Sequence, residues 1–183
     1  AGQRDERLFG ATWEALFAKP RAGVAAAPPW WETERARLLS IARDESPVYV
    51  YSERILKRQA ERLLALKHVD RVLYAVKANH HPDILRLFHA LGLGFECVSP
   101  GEIAAVDGAL AEAPVERLFT PNFAPREEYA QALAAGVRTT LDNLHPLRAW
   151  PELFRGREVF VRLDLGVGRG HHAHVKTGGV HSK

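Results

Sequence analysis

Five short apolar segments recur at a near-constant interval along the chain. They begin near residues 72 (VLYAV), 94 (GFECV), 117 (RLFT), 139 (TTLD) and 159 (VFVRLD), at intervals of 22, 23, 22 and 20. Helix-compatible sequence fills the space between them. Parallel strands need a crossover long enough to hold a helix, so this rhythm argues for repeated βα units and a parallel sheet. Pro82 suits the first turn of one connecting helix, and SPGE leads into another. Each segment ends in polar or turn residues: KAN, SPGE, PNF, DN and DLG. In a parallel sheet those ends share one rim, the edge on which a (β/α)8 barrel assembles its site.

A doubly wound sheet shares the alternation but needs a phosphate-binding turn between a strand and a helix. GVGRG follows a strand, yet the HHAHVKTGGVHSK after it has no helical periodicity. The expected fold is therefore a TIM-type (β/α)8 barrel. Eight units begun at residue 72 run to about residue 248, so a chain with five is expected to hold an incomplete barrel. The absence of methionine and the opening Ala1 point the same way, to a segment of a longer product. Residues 1–46 are expected to be a linker and helical segment, and 47–183 the N-terminal portion of the barrel.

Within the first part, Leu8, Phe9, Trp13, Leu16 and Phe17 form a short amphipathic patch before KPRAGVAAAPPWW. A helix is expected over WETERARLLSIARD, ending before Pro47, then a short strand at VYVY. Ser52 can cap the next helix, on which Ile55, Leu63, Leu64 and Leu66 supply a buried side.

Lys77 closes the first barrel segment. Strand alternation sets it with small Ala75 on one side, opposite Tyr74 and Val76. Apolar surroundings disfavour a charged amine, and the neutral amine is the nucleophile that condenses with an aldehyde, most commonly pyridoxal phosphate. The bland alternative is a strand-end lysine reaching into solvent.

Composition excludes several classes. Net charge is +3, and the basic residues are spread without a Lys/Arg block interleaved with aromatics, which argues against nucleic-acid binding. No apolar run approaches the roughly 18 to 20 residues of a membrane span, and the N-terminus lacks the layout of a secretory signal. With its single cysteine, Cys97, the chain fits a reducing, cytoplasmic setting. Cys97 has the opposite parity to Glu96 and is expected to pack under a helix without a chemical role. His171, His172, His174 and His181 crowd one stretch, but no carboxylate or cysteine at matching spacing makes it a metal site. Asn122 and Asp142 close strands on the rim, where turn or cap duty competes with ligand contact.

YAVKAN, then GFECVSPGEIAAV, FTPNFAP, LDN and VRLDLGVGRGHHAHVKTGGVHSK, in that order, resemble the diaminopimelate decarboxylases. These are barrel-type pyridoxal phosphate enzymes, as are ornithine and arginine decarboxylases and alanine racemase. The resemblance runs from about Val48 to Lys183. The opening LFGATWEALFAKPRAG with the later PPWW is similar to the region joining the halves of bifunctional aspartate kinase and diaminopimelate decarboxylases. The resemblance implies pyridoxal 5′-phosphate held by Lys77, Glu96 beside its ring, and Arg162 near cofactor and substrate. It implies a loop containing His172 against the substrate, a homodimer, and a kinase domain in the same chain. A buried Glu96–Arg162 ion pair without catalytic part is the structural alternative.

The implied reaction is decarboxylation of a small amino acid, meso-2,6-diaminopimelate, to L-lysine in lysine biosynthesis. Ornithine, arginine or carboxynorspermidine decarboxylation and a non-catalytic regulatory role stay open, and a racemase matches the later blocks less well. The stacking histidine, glycine-rich phosphate loop, acidic partner of the pyridine nitrogen and β domain come later in the family's order. The 183 residues alone are therefore expected to be inert.

Overall fold

The computed structural model describes residues 28–111 and 113–164. They divide into two units: residues up to Val72 with Ala90–Gly92, and Leu73–His89 with Leu93 onward. The first unit contains α1 (Trp30–Thr33), α2 (Arg35–Asp44) and α3 (Glu53–Leu64). The helix expected from residue 31 to 44 is thus interrupted at Glu34, and it ends before Pro47 as the residue preceding a proline requires.

Two expectations fail in this unit. VYVY is not a strand, and Tyr49 is 90% exposed with Val48, Val50 and Tyr51 also open. β-branched and aromatic residues favour a strand, but only a neighbouring chain makes one, and none of the described segments pairs there. In α3 only Ala60 is buried; Leu63 and Leu64 are exposed and Ile55 half-buried, as is Leu66 just beyond the helix. An apolar stripe marks a face that gains from cover and cannot itself provide the cover. Ser52 occupies the N-cap without a side-chain cap bond, and an exposed Glu53–Lys57 pair at 2.6 Å supports the first turn.

The second unit is built on a sheet of β1 (Leu73–Ala75), β2 (Gly94–Cys97), β3 (Arg117–Phe119), β4 (Arg138–Leu141) and β5 (Phe160–Val161). All begin within one residue of their expected positions. Every neighbouring pair is parallel and the order is β1-β2-β3-β4-β5. This strictly sequential order is what separates a barrel-type sheet from a doubly wound one, whose order reverses at a switch point. Right-handed crossovers then put every helix on the same face.

The register shows that face. Phe95, Cys97, Phe119, Thr139 and Leu141 share it and are fully enclosed. Against it lie α4 (Pro82–Ala90), α5 (Pro100–Leu110) and α6 (Arg126–Ala134), followed by α7 (His145–Ala149) and α8 (Pro151–Phe154). Their buried residues keep helical spacing: Ile84, Leu85 and Phe88; Ile103, Val106 and Leu110; Tyr129, Ala132 and Leu133. Tyr129 is the hub, its ring 6.0 Å from Phe119, 5.7 Å from Phe154 and 6.3 Å from Trp150. Thr139, buried among them, satisfies its hydroxyl on the Val137 carbonyl at 3.1 Å.

Helix ends fix where the chain returns. Ser99 caps α5 by accepting from the Glu102 amide, and Glu102 Oε2 reaches back to accept from the Val98 amide at 2.9 Å. Gly136, at φ 67°, closes α6, its amide bonding Leu133 and that of Val137 bonding Ala132. Charged pairs Arg117–Asp107 and Arg138–Glu116 lie near the N-terminal ends of β3 and β4, the edge associated with stability in this architecture. No helix among the described residues is long and apolar enough to cross a membrane.

Candidate active site

The other face of the sheet carries Ala75, Glu96, Leu118, Thr140 and Phe160 in register; Thr140 is buried, Ala75, Glu96 and Leu118 are half-buried and Phe160 is exposed. Its strands all end at the same rim. β1 stops at Ala75 and a 3₁₀ turn, Val76–Ala78, follows. Lys77 therefore projects from this turn beside β2, not from a strand interior, and its side chain is exposed. The expectation of a buried amine is corrected on this point. A barrel buries its inner side chains only where the sheet closes around them, and β1 and β5 are not paired with each other here. The turn itself is anchored: Val76 is fully buried, and the Tyr74 hydroxyl donates to the Asn79 carbonyl at 3.2 Å.

Glu96 and Arg162 reach the same rim but do not pair with each other. Glu96 accepts a hydrogen bond from the Thr120 hydroxyl. Arg162 donates from Nη1 to Asn122 Oδ1 and from Nη2 to the Thr120 carbonyl at 3.4 Å. The anticipated ion pair is thus replaced by a shared attachment to Thr120. Arg162 is exposed and Glu96 half-buried, so neither is sealed in the core. Two of the five guanidinium N–H donors are engaged in these bonds with described residues. His172 and the neighbouring histidines lie outside the described residues.

Asp142, at the end of β4, holds the loop after β3. Its Oδ2 accepts from the Phe123 amide at 2.7 Å, and its Oδ1 from the Asn143 side chain at 2.9 Å and the Tyr129 hydroxyl at 3.4 Å. Phe123 has φ 52°, a left-handed conformation that costs a residue with a Cβ about 1–2 kcal/mol. Sequence reasoning missed Thr120, Phe123 and Tyr129. Thr120 was within reach of it, since two-residue alternation from Leu118 sets it on the face of Glu96. The other two act through contacts that no local pattern encodes.

Burial pushes the Cys97 thiol up to about 12, with Glu102 and Glu96 adding to the effect and Arg117 opposing it. Cys97 is fully enclosed under the helices, as its parity indicated. Burial, then the charge and hydrogen bond of Asp142, push the Tyr129 phenol up to about 12 as well, against Arg162. Both groups keep their protons longer in the folded state than in the unfolded one. Their stabilisation is complete below the unfolded thiol value of about 8.5 and is lost as pH rises toward 12. The urea midpoint is expected to fall between about pH 8 and pH 11, less steeply in Tyr129→Phe and Cys97→Ala. A midpoint that holds or rises over that range, followed by circular dichroism, would contradict the assignment.

Do these residues suit pyridoxal phosphate? An exposed primary amine stands at the rim, half-buried Glu96 lies on the adjacent strand, and the exposed guanidinium of Arg162 suits an anion. The donor set fits. Among the described residues no group of three His, Cys, Asp or Glu side chains is placed to hold a metal ion.

Comparison with known proteins bears on the same region. The family described as "Pyridoxal-dependent decarboxylase, pyridoxal binding domain" matches residues 53–183. The diaminopimelate decarboxylase of Methanothermobacter thermautotrophicus is 34% identical, over 75% of this chain and 33% of its own length. That of Deinococcus radiodurans is 32% identical, over 75% of this chain and 35% of its own. The chain spans about a third of the length of these curated relatives. The crystal structure of Helicobacter pylori diaminopimelate decarboxylase, complexed with L-lysine, superposes with a TM-score of 0.68 at 23% identity, covering 81% of this chain and 39% of that one. That likeness shows the fold.

Proposed function

The chain belongs to the pyridoxal-dependent decarboxylase family, and on that premise we propose that it carries the cofactor-anchoring part of a diaminopimelate decarboxylase, with Lys77 as the anchor. The observation that carries this reading is an exposed primary amine at the C-terminal rim of a sequential parallel sheet. Pyridoxal phosphate, when bound, supplies an aldehyde for attachment and a conjugated ring that draws off the electron pair released as carbon dioxide leaves. The chain's own residues do the rest. Lys77 presents its amine from a turn whose backbone is pinned by buried Val76, which fixes where on the rim the side chain starts.

Arg162 offers its remaining donors to a phosphate or carboxylate, in an orientation set by Asn122 and Thr120. Glu96, on the strand next to β3, is held by Thr120 and so places its carboxylate beside the loop that anchors Arg162. His172 in a substrate-bordering loop belongs to this proposal through the resemblance alone. So do a homodimer, a cytoplasmic site of action and a preceding aspartate kinase domain. The division into 1–46 and 47–183 is part of it too, and the family match from residue 53 supports that division.

Substrate choice rests on relatives above 30% identity that are diaminopimelate decarboxylases, among them the two described above. Carbon dioxide release from meso-diaminopimelate, ornithine and arginine by a polypeptide covering the relatives' full length tests it, with meso-diaminopimelate expected to react at least tenfold faster in kcat/KM. Preference for ornithine or arginine would replace the substrate, and absence of any turnover the activity. The 183-residue chain alone is expected to be inert, because its Lys77 amine is exposed to water.

A further inference from the structure

Phe123 is hard to explain by folding. Among the described residues it is the one non-glycine with a positive φ, and its ring is 80% exposed. A glycine or asparagine would take this turn at lower cost, and an exposed phenyl gains no burial in return. Yet the loop is fastened on both sides. Asp142 grips the Phe123 amide at 2.7 Å and is itself held by Tyr129 from the core, while neighbouring Asn122 is bonded by Arg162. A side chain that is costly, exposed and rigidly presented at the rim of the reactive face has the properties of a contact residue awaiting its ligand.

We infer that Phe123 is a substrate-contacting wall of the site, set against the methylene chain of the amino-acid substrate, and that Asp142 is the positioning residue that holds it there. The inference rests on the proposed function and adds a specificity determinant to it. The charged ends of a diamino acid have polar groups to meet at this rim, whereas its aliphatic middle needs an apolar surface, and the ring of Phe123 offers one. Loss of such a wall weakens binding of the chain without removing the reactive amine, so KM moves and kcat does not.

The test uses the full-length protein loaded with pyridoxal phosphate. Phe123→Ala is a surface change that should leave folding intact; it is expected to raise KM about tenfold with kcat within about threefold. Phe123→Leu should recover most of the loss. Asp142→Ala should raise KM similarly and speed hydrogen exchange at the residue 123 amide, and the double variant should be no worse than the larger single. Asp142→Asn, which keeps one acceptor oxygen, should fall between and serves if Asp142→Ala does not fold. A KM for Phe123→Ala within twofold of wild type overturns the inference, and additive losses in the double variant overturn the role of Asp142. If wild type forms no borohydride-trapped cofactor adduct, the proposed function falls and takes this inference with it. If the adduct forms but KM is unmoved, only the inference falls.

Discussion

Lys77→Ala in the full-length protein is expected to abolish borohydride-fixed attachment of pyridoxal phosphate and to lower turnover on the order of a thousandfold or more. The size of the effect follows from chemistry alone, because the exposed side chain contributes little to folding. An exposed lysine removed from a turn changes stability by about 0.5 kcal/mol or less. A melting curve superimposable on wild type, together with lost attachment, separates the two causes. Lys77→Arg sharpens the point: it keeps the positive charge at the rim but offers a guanidinium that does not condense with an aldehyde, so it should fail as completely as alanine. Mass spectrometry of the reduced, digested protein should place the cofactor on the peptide containing Lys77. A reducible chromophore that survives in Lys77→Ala would move the anchor elsewhere and remove the assignment.

The second large effect is on stability. Phe119 lies on the enclosed face of the middle strand, fully buried, registered beside Cys97 and Thr139 and edge-on to the Tyr129 ring. Phe119→Ala is expected to cost about 3–5 kcal/mol, from lost transfer energy plus the cavity left under helices that cannot collapse to fill it. Phe160 provides the contrast. It stands on the end strand β5, where both residues are open, and is 44% exposed, so Phe160→Ala should cost about 1 kcal/mol or less in the same chain. Urea titrations of both variants check the difference. Equal losses would mean that enclosure does not set the cost of removing a ring, and the account of the core would fail.

The positions of the strands were legible because each is bounded by its own turn chemistry. VLYAV runs into KAN, GFECV into SPGE, and the spacing left room for one helix each time. The parity of Cys97 and Glu96 was equally plain, since alternation is a local property. What escaped was everything decided by a distant partner. VYVY has strand residues and no described neighbour, and Leu63 and Leu64 have helical spacing and no described cover. Lys77 was read as the last residue of a strand, whereas the chain turns at Val76 and leaves the amine open. Glu96 and Arg162 were recognised as rim residues, yet their meeting through Thr120 depends on the offset between three strands. The left-handed state of Phe123 depends on a carboxylate nineteen residues away, and nothing in FTPNFAP announces it.

The sequential strand order has a kinetic consequence. Each strand docks on the one made just before it, so a closing loop never spans more than one strand–helix–strand repeat, and the entropy of joining distant chain segments is avoided at every step. Such a sheet can lengthen one hairpin-sized increment at a time as the polypeptide leaves the ribosome, each newcomer templated by an edge already in place.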